Sequence, residues 1–278
     1  MNKSPLKSSL LFFATALTLV FTACQKDKEP TPAADQATAA KAKQAVINQQ
    51  FMLSSFNIAQ WGAENANGLV GDQVDERADT CGNVTVMPPD PFVFPKVVTV
   101  DFGLGCTDED GKFKQGKVIM TVGAIWQTNA SIVVNYDNYY ENNVKIEGQF
   151  TFTNLSTPDA AILRIDAQNI KLSDPNGSSF AFSGDQTYTQ VAGHPTWWAW
   201  QDDVYNVTGN INSTLTNGET LDWSIQTPLV KANTCGWVSQ GKAILDINGL
   251  PVYVDYGNGN CDNQGTYTVN GQTYPFTM

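Results

Sequence analysis

Histidine, basic side chains and long apolar runs are scarce in this sequence, and each scarcity excludes a class of function. The 278 residues include one histidine and five cysteines, with no C-x-x-C pair, so we expect neither a metal site nor a cofactor. Lysine and arginine number 16 against 27 aspartates and glutamates. A surface this acidic does not attract nucleic acid. The longest apolar run, residues 10–21, is too short to span a bilayer of about 30 Å as a helix.

The N-terminus has the layout of an export signal. Lys3 and Lys7 form a positive head, the apolar run follows, and the segment FTAC ends at Cys24. This ending resembles the lipobox of bacterial lipoproteins, which implies that residues 1–23 are a signal peptide and that Cys24 carries a lipid. Plain secretion with a chance cysteine is the alternative interpretation.

The residues after Cys24 indicate a tether and a destination. Residues 24–40 are polar and contain proline and alanine, as expected of a linker between a lipid and a folded part. Their first residues, QKDKE, resemble the export signal of Bacteroidota surface lipoproteins. The resemblance implies a lipid-anchored protein of the outer membrane that faces outward, with the membrane as its partner through the lipid.

Residues 41–63 are predicted to form an N-terminal α-helix. Ala45, Met52, Phe56 and Ala59 recur at helical spacing and would lie on one apolar stripe. We interpret this helix as packed on the flank of the folded domain, and a partner-binding helix is the alternative.

From Thr80 onward the pattern is that of an all-β protein. Apolar and polar residues alternate through residues 204–216, and Asn217-Gly218 then predicts a hairpin with a type I′ turn. A second alternating segment, AILRIDAQNIKL, slips by one residue near Gln168, which predicts a β-bulge. Strands with one apolar and one polar face favour antiparallel sheets, arranged either as a sandwich or as two similar tandem units. We assign residues 80–190 to the first unit and 191–278 to the second, packed as one domain.

One short pattern occurs twice, as VTVDFGLGC at residues 98–106 and as VYVDYGNGNC at residues 252–261. Each copy ends in a cysteine, and another cysteine, Cys81 or Cys235, lies a similar distance before it. The four cysteines allow three pairings in an exported protein.

Hairpin midpoints favour one of these pairings. The midpoint between Cys235 and Cys261 falls on the turn signal Asn248-Gly249, and a bulge at Gly257 or Gly259 would complete the register. The midpoint between Cys81 and Cys106 falls in a proline-rich connection. We therefore predict two local disulfides, Cys81–Cys106 and Cys235–Cys261.

The second copy and its surroundings resemble the endings of many uncharacterised Bacteroidota lipoproteins. The resemblance rests on Cys235, Gly241-Lys242, the VDYGNGNCD segment and Val269-Asn270-Gly271, together with YYENNVKIEG at residues 139–148. It implies a class of surface lipoprotein and brings no known activity with it.

The most unusual local feature is a cluster of three tryptophans, Trp197, Trp198 and Trp200, followed by Asp202 and Asp203. Exposed tryptophans with acids at their edge would suit stacking against sugar rings. The alternative is a loop whose tryptophans plug one end of the domain.

Other candidates for chemistry are weaker. His194 lacks the G-x-S-x-G partner of a serine hydrolase. The segment TDEDG at residues 107–111 invites calcium but is explained by an Asp-Gly hairpin turn. Asp101 and Asp255 would serve a glycosidase only if folding brought them together, and shaping the adjacent glycine-rich turns is the simpler role.

The sequence therefore predicts a surface lipoprotein that is not an enzyme. We expect a binding or envelope-structural role, with polysaccharide or another envelope protein as the partner. A glycan-active hydrolase with paired carboxylates is the alternative.

Overall fold

A computed structural model describes residues 81–108, 111–193 and 202–278, together with Thr38, Lys41, Ala45, Met52, Ser55 and Ala66. All of these lie within one compact unit, Ala33–Met278. The predicted signal peptide, Cys24 and most of the predicted tether and helix lie outside the described residues.

Fourteen β-strands make up the described fold, and nearly all of them alternate buried and exposed positions. Their bounds are β1 Asn83–Met87, β2 Lys96–Asp101, β3 Cys106–Thr107, β4 Phe113–Val122, β5 Ser131–Glu141, β6 Val144–Asn154, β7 Ile162–Ser173, β8 Ser179–Ala192, β9 Val204–Leu215, β10 Thr220–Ala232, β11 Gln240–Ile247, β12 Leu250–Asn258, β13 Gln264–Val269 and β14 Gln272–Thr277.

The strands form one antiparallel sheet with a simple meander topology. Apart from β3, which pairs with β4 beside the main path, each strand pairs with its neighbour in the chain. The predicted all-β, antiparallel class is confirmed. The sequence left a sandwich and two tandem units open. The described strands of both predicted units belong to a single hydrogen-bonded sheet, because β8 pairs with β9 along nearly its whole length.

The core lies on the inner face of the sheet. Side chains from β2 through β13 pack there in one apolar cluster, and the helical residues Ala45, Met52 and Ala66 belong to it. Met52 is fully buried, and the Lys41 ammonium forms an ion pair of 2.6 Å with Glu219 at the β9–β10 turn. The described helical residues therefore contact the sheet. Of the bounds predicted for the helix, 41–63, Lys41 is described and helical, whereas residue 63 lies outside the description. Among the described residues, no helix is long and apolar enough to cross a membrane.

Two of the Asn-Gly pairs form the type I′ turn that such pairs favour, and the pair at Asn217-Gly218 forms a different tight turn. Asn248-Gly249 and Asn270-Gly271 have positive φ at both residues, as a type I′ turn requires. At Asn217-Gly218 only the glycine has positive φ, and the Gly218 N–H bonds to the Leu215 carbonyl. The prediction of a hairpin there is confirmed, but the turn type was wrong. The loop has three residues and combines a type I turn with a left-handed glycine.

The predicted β-bulge is present in β7. The register between β7 and β8 shifts between Ala167 and Ile170, and Asn169 takes a positive φ of 50°. This shift lets Ile165, Ala167 and Ile170 all face the core despite the slip in alternation.

Both predicted disulfides are confirmed. Cys81 bonds to Cys106 and Cys235 to Cys261, each with a Cα–Cα distance of 5.7 Å. In the second hairpin the register shifts opposite Gly257, where a bulge was expected. In the first, Cys106 lies beyond the β1–β2 register and returns to Cys81 through a turn in which the Gly105 N–H bonds to the Phe102 carbonyl at 3.0 Å.

Candidate binding surface on the outer face of the sheet

The tryptophans of the predicted aromatic platform, Trp197, Trp198 and Trp200, lie outside the described residues, as does His194. Asp202 and Asp203 are described and lie just before β9, at the return of the connection that carries the tryptophans.

Asp203 is held by a hydrogen-bond network at the base of this connection. Its carboxylate accepts bonds from the Gln190 side chain at 2.6 Å and from the Tyr205 hydroxyl at 3.1 Å, and its carbonyl accepts one from the Asn233 N–H. Burial, followed by the nearby Asp203 charge, raises the pKa of Tyr205, so this phenol remains a donor. A side chain at Gly193 would meet Asp203 at 2.4 Å. Asp203 therefore fixes the two ends of the connection to each other.

The repeated aspartates both shape turns. Asp101 accepts a hydrogen bond of 2.9 Å from the Gly103 N–H, and Asp255 accepts one of 2.9 Å from the Gly257 N–H. Each carboxylate also pairs with a lysine on a neighbouring strand, Asp101 with Lys117 at 2.8 Å and Asp255 with Lys242 at 3.1 Å. The two aspartates lie on β2 and β12, which are not neighbours in the sheet.

Two other pairs of acids do meet across neighbouring strands, Asp222 with Asp246 on β10 and β11, and one pair on β7 and β8. Asp166 on β7 is directly opposite Asp185 on β8. Arg164 donates to both oxygens of Asp166 and lies 3.8 Å from Asp185. The arginine therefore bridges the two carboxylates on the outer face.

A groove of about 580 Å³ lies on the outer face of strands β10 to β14. We call it the outer groove. Its floor carries hydroxyl, amide and charged groups around one aromatic ring, and the residues used below are Gln226, Lys242, Tyr253, Asp255, Thr268 and Thr273.

Tyr253 is the centre of the outer groove. The strand register places it between Ile244 on β11 and Thr268 on β13, and it is 54% exposed. The Thr268 and Thr273 hydroxyls are 2.8 Å apart beside it. On the other side, the Lys242–Asp255 ion pair leaves no net charge between those two side chains. The Tyr253 ring is therefore surrounded by hydrogen-bonding groups, and the ion pair beside it carries no net charge.

Sequence reasoning missed this surface although its signal was in the repeat. In VYVDYG, Val252 and Val254 are buried, so alternation places Tyr253 and Asp255 together on the solvent side. An outward tyrosine followed two residues later by an aspartate was visible in the sequence. The concavity itself was not, because it depends on the curvature of five strands.

Among the described residues, no group of three or more histidine, cysteine, aspartate and glutamate side chains could hold a metal ion. No protein-family model matches the chain, and no match is found among curated proteins or solved structures.

Proposed function

We propose that this chain is an outward-facing, lipid-anchored protein of the outer membrane that binds glycan without acting on it. The location follows from the resemblance at Cys24 and the charged residues after it. The binding role is supported by the outer groove.

The observation that carries the proposal is Tyr253, an exposed ring within a concave, polar surface. A sugar ring has an apolar face of C–H groups and a rim of hydroxyls. The face of an aromatic ring packs against the C–H groups, and donors and acceptors placed around the ring form hydrogen bonds with the hydroxyls. The threonine hydroxyls, the Gln226 amide and the Lys242–Asp255 pair supply that rim.

The arrangement of carboxylates supports binding over hydrolysis. A glycosidase needs two carboxyl groups about 5–9.5 Å apart across the scissile bond, one of them able to donate a proton. Asp101 and Asp255 are each engaged by a lysine and a turn N–H, and Asp166 and Asp185 are bridged by Arg164. Each of these four aspartates is thus engaged in ion pairs or hydrogen bonds that stabilise the surface of the sheet.

The test is binding of the full chain to neutral oligosaccharides, with cello-, xylo- and malto-oligosaccharides as probes in calorimetry. Tyr253→Ala should weaken binding about tenfold, because the stacking surface is lost, whereas Tyr253→Phe should retain most of the affinity. Phe92→Ala is the matched control, since Phe92 is 90% exposed and lies far along the chain in the proline-rich connection. Equal affinity of Tyr253→Ala and the unaltered chain, or no binding of any neutral glycan, would overturn the proposal.

A further inference from the structure

The outer groove is part of a longer row of side chains. Following directly opposed residues from strand to strand gives a line that crosses β9 to β14, which we call the outer row. Its members are Asn210, Ser224, Ile244, Tyr253, Thr268 and Thr273.

Contacts join the groove to the far part of the outer row. Gln226 in the groove donates from Nε2 to the Ser224 hydroxyl at 3.1 Å, and Ser224 is directly opposite Asn210. Asn210 is exposed and Ser224 half-buried. Because neighbouring strands lie about 4.8 Å apart, the six strands span roughly 24 Å along the sheet. That length is several times the width of one sugar ring.

The chemistry of the line changes beyond the β9 end of the outer row, and β14 at the other end is the last strand of the sheet. Beyond Asn210 the line continues to Asp185 and Asp166, which Arg164 bridges. Further on it alternates threonine with apolar side chains and carries no aromatic ring, through Thr151, Val133, Thr121, Val97 and Met87. An uncharged stretch with an aromatic ring at its centre is therefore confined to β9–β14 on this line.

Charges beside the outer row select against anions. Asp222 and Asp246 are directly opposite each other on β10 and β11. Each lies two residues along its strand from a member of the outer row, Ser224 or Ile244. Lys242, which lines the groove, is paired with Asp255. Among the described residues that line the groove, no unpaired cation would offset this acidic pair for a bound polyanion.

We propose that the outer row binds a linear, uncharged polysaccharide that runs across the strands, with Tyr253 at the centre of the bound segment and Asn210 and Ser224 contacting units further along. This inference rests on the proposed function and adds the shape and charge class of the ligand.

The test is affinity as a function of oligosaccharide length, from two to eight units, measured on the full chain. Affinity should rise with length up to about five units and then level off, since the outer row spans roughly 24 Å. Asn210→Ala and Ser224→Ala should each lower affinity for the long oligosaccharides roughly fivefold and leave disaccharide binding unchanged. Tyr253→Ala should weaken both. Asn212→Ala, on the same face of β9 but outside the outer row, is the matched control.

The outcomes separate this inference from the function beneath it. Binding that is complete with a disaccharide, or that ignores Asn210 and Ser224, would overturn the extended site while leaving glycan binding in place. Tighter binding of an anionic polymer such as polygalacturonate than of its neutral counterparts would overturn the charge class. Failure of every glycan at every length would remove the proposed function and this inference together.

Discussion

In both disulfide-closed hairpins an aspartate forms an ion pair with a lysine on a neighbouring strand. The neighbouring strand lies on opposite sides of the aspartate's strand in the two hairpins. In the first, Asp101 pairs with Lys117 on β4, the strand that lies after β2 in the order of the sheet. In the second, Asp255 pairs with Lys242 on the strand that precedes β12. The aspartate, its turn and the closing cysteine are shared, and the wider surroundings are not. The repeated sequence pattern therefore forms the end of a disulfide-closed hairpin in both places.

The two copies also differ at their ring positions. Thr99 in the first stands where Tyr253 stands in the second, on the outer face, and only the second face carries the outer groove. On the inner face, Phe102 corresponds to Tyr256, whose hydroxyl is buried and finds no hydrogen-bond partner among the described residues. Substitutions at these positions can make one hairpin resemble the other.

Removing the disulfides should have the largest effect on stability. The loops they close have nearly equal sequence separations, 25 and 26 residues, so Cys81→Ala/Cys106→Ala and Cys235→Ala/Cys261→Ala should each cost roughly 3 kcal/mol. In thermal unfolding this corresponds to a Tm lower by roughly 6–12 °C. A loss in the second hairpin several times that in the first would show that closure entropy is not the shared basis of the two bridges.

Converting Tyr256 to the residue of the first copy should have a smaller effect of opposite sign. Tyr256→Phe removes a buried hydroxyl without a described partner and should be neutral or stabilise by about 1 kcal/mol in urea unfolding. Tyr188→Phe is the matched control. The Tyr188 hydroxyl donates to the buried Gln186 side chain at 2.9 Å, so its loss should destabilise by about 1–2 kcal/mol. Destabilisation by both variants would contradict this distinction.

The smallest expected effect concerns the charge of Asp101. The hydrogen bond from Lys117, with that from the Gly103 N–H, holds the pKa of Asp101 below its ordinary 3.8. A lowered pKa stabilises the fold at pH values above 3.8, and this contribution is lost as the pH falls through the lowered value. Asp101→Asn should therefore reduce the difference in Tm between neutral and acid solution, by only about one degree because the pair is exposed.

Salt distinguishes this electrostatic effect from a loss of turn geometry. The ion pair with Lys117 is screened at high ionic strength, so the difference between Asp101→Asn and the unaltered chain should shrink in about 1 M salt. A difference that salt leaves unchanged would assign the role of Asp101 to its bond with the Gly103 N–H alone.

Much of the sheet could be predicted from local sequence because its information is local. Asn248-Gly249 sets a two-residue turn, and the same turn aligns Cys235 with Cys261. The slip near Gln168 likewise reports its own bulge. Such features depend on residues that are close in the chain, so reading one segment at a time was sufficient.

The features that sequence did not reveal depend on distant residues. The contact of the β9–β10 turn with the N-terminal segment, through the ion pair of Glu219 with Lys41, joins residues that are far apart in the chain. The outer groove needs five strands in register. The choice of Lys117 or Lys242 as an ion-pair partner also follows from the pairing of strands and not from the repeat itself.

The meander has a consequence for how the chain acquires its structure. Every strand on the main path pairs with the next one along it, so loop closures are short and the sheet can lengthen one hairpin at a time from either end. A chain that emerges gradually from a translocation pore could form each new strand against the one before it. By the same logic, gain or loss of a whole hairpin would preserve all remaining pairings, so relatives of this protein can differ in the number of strands without a change of plan.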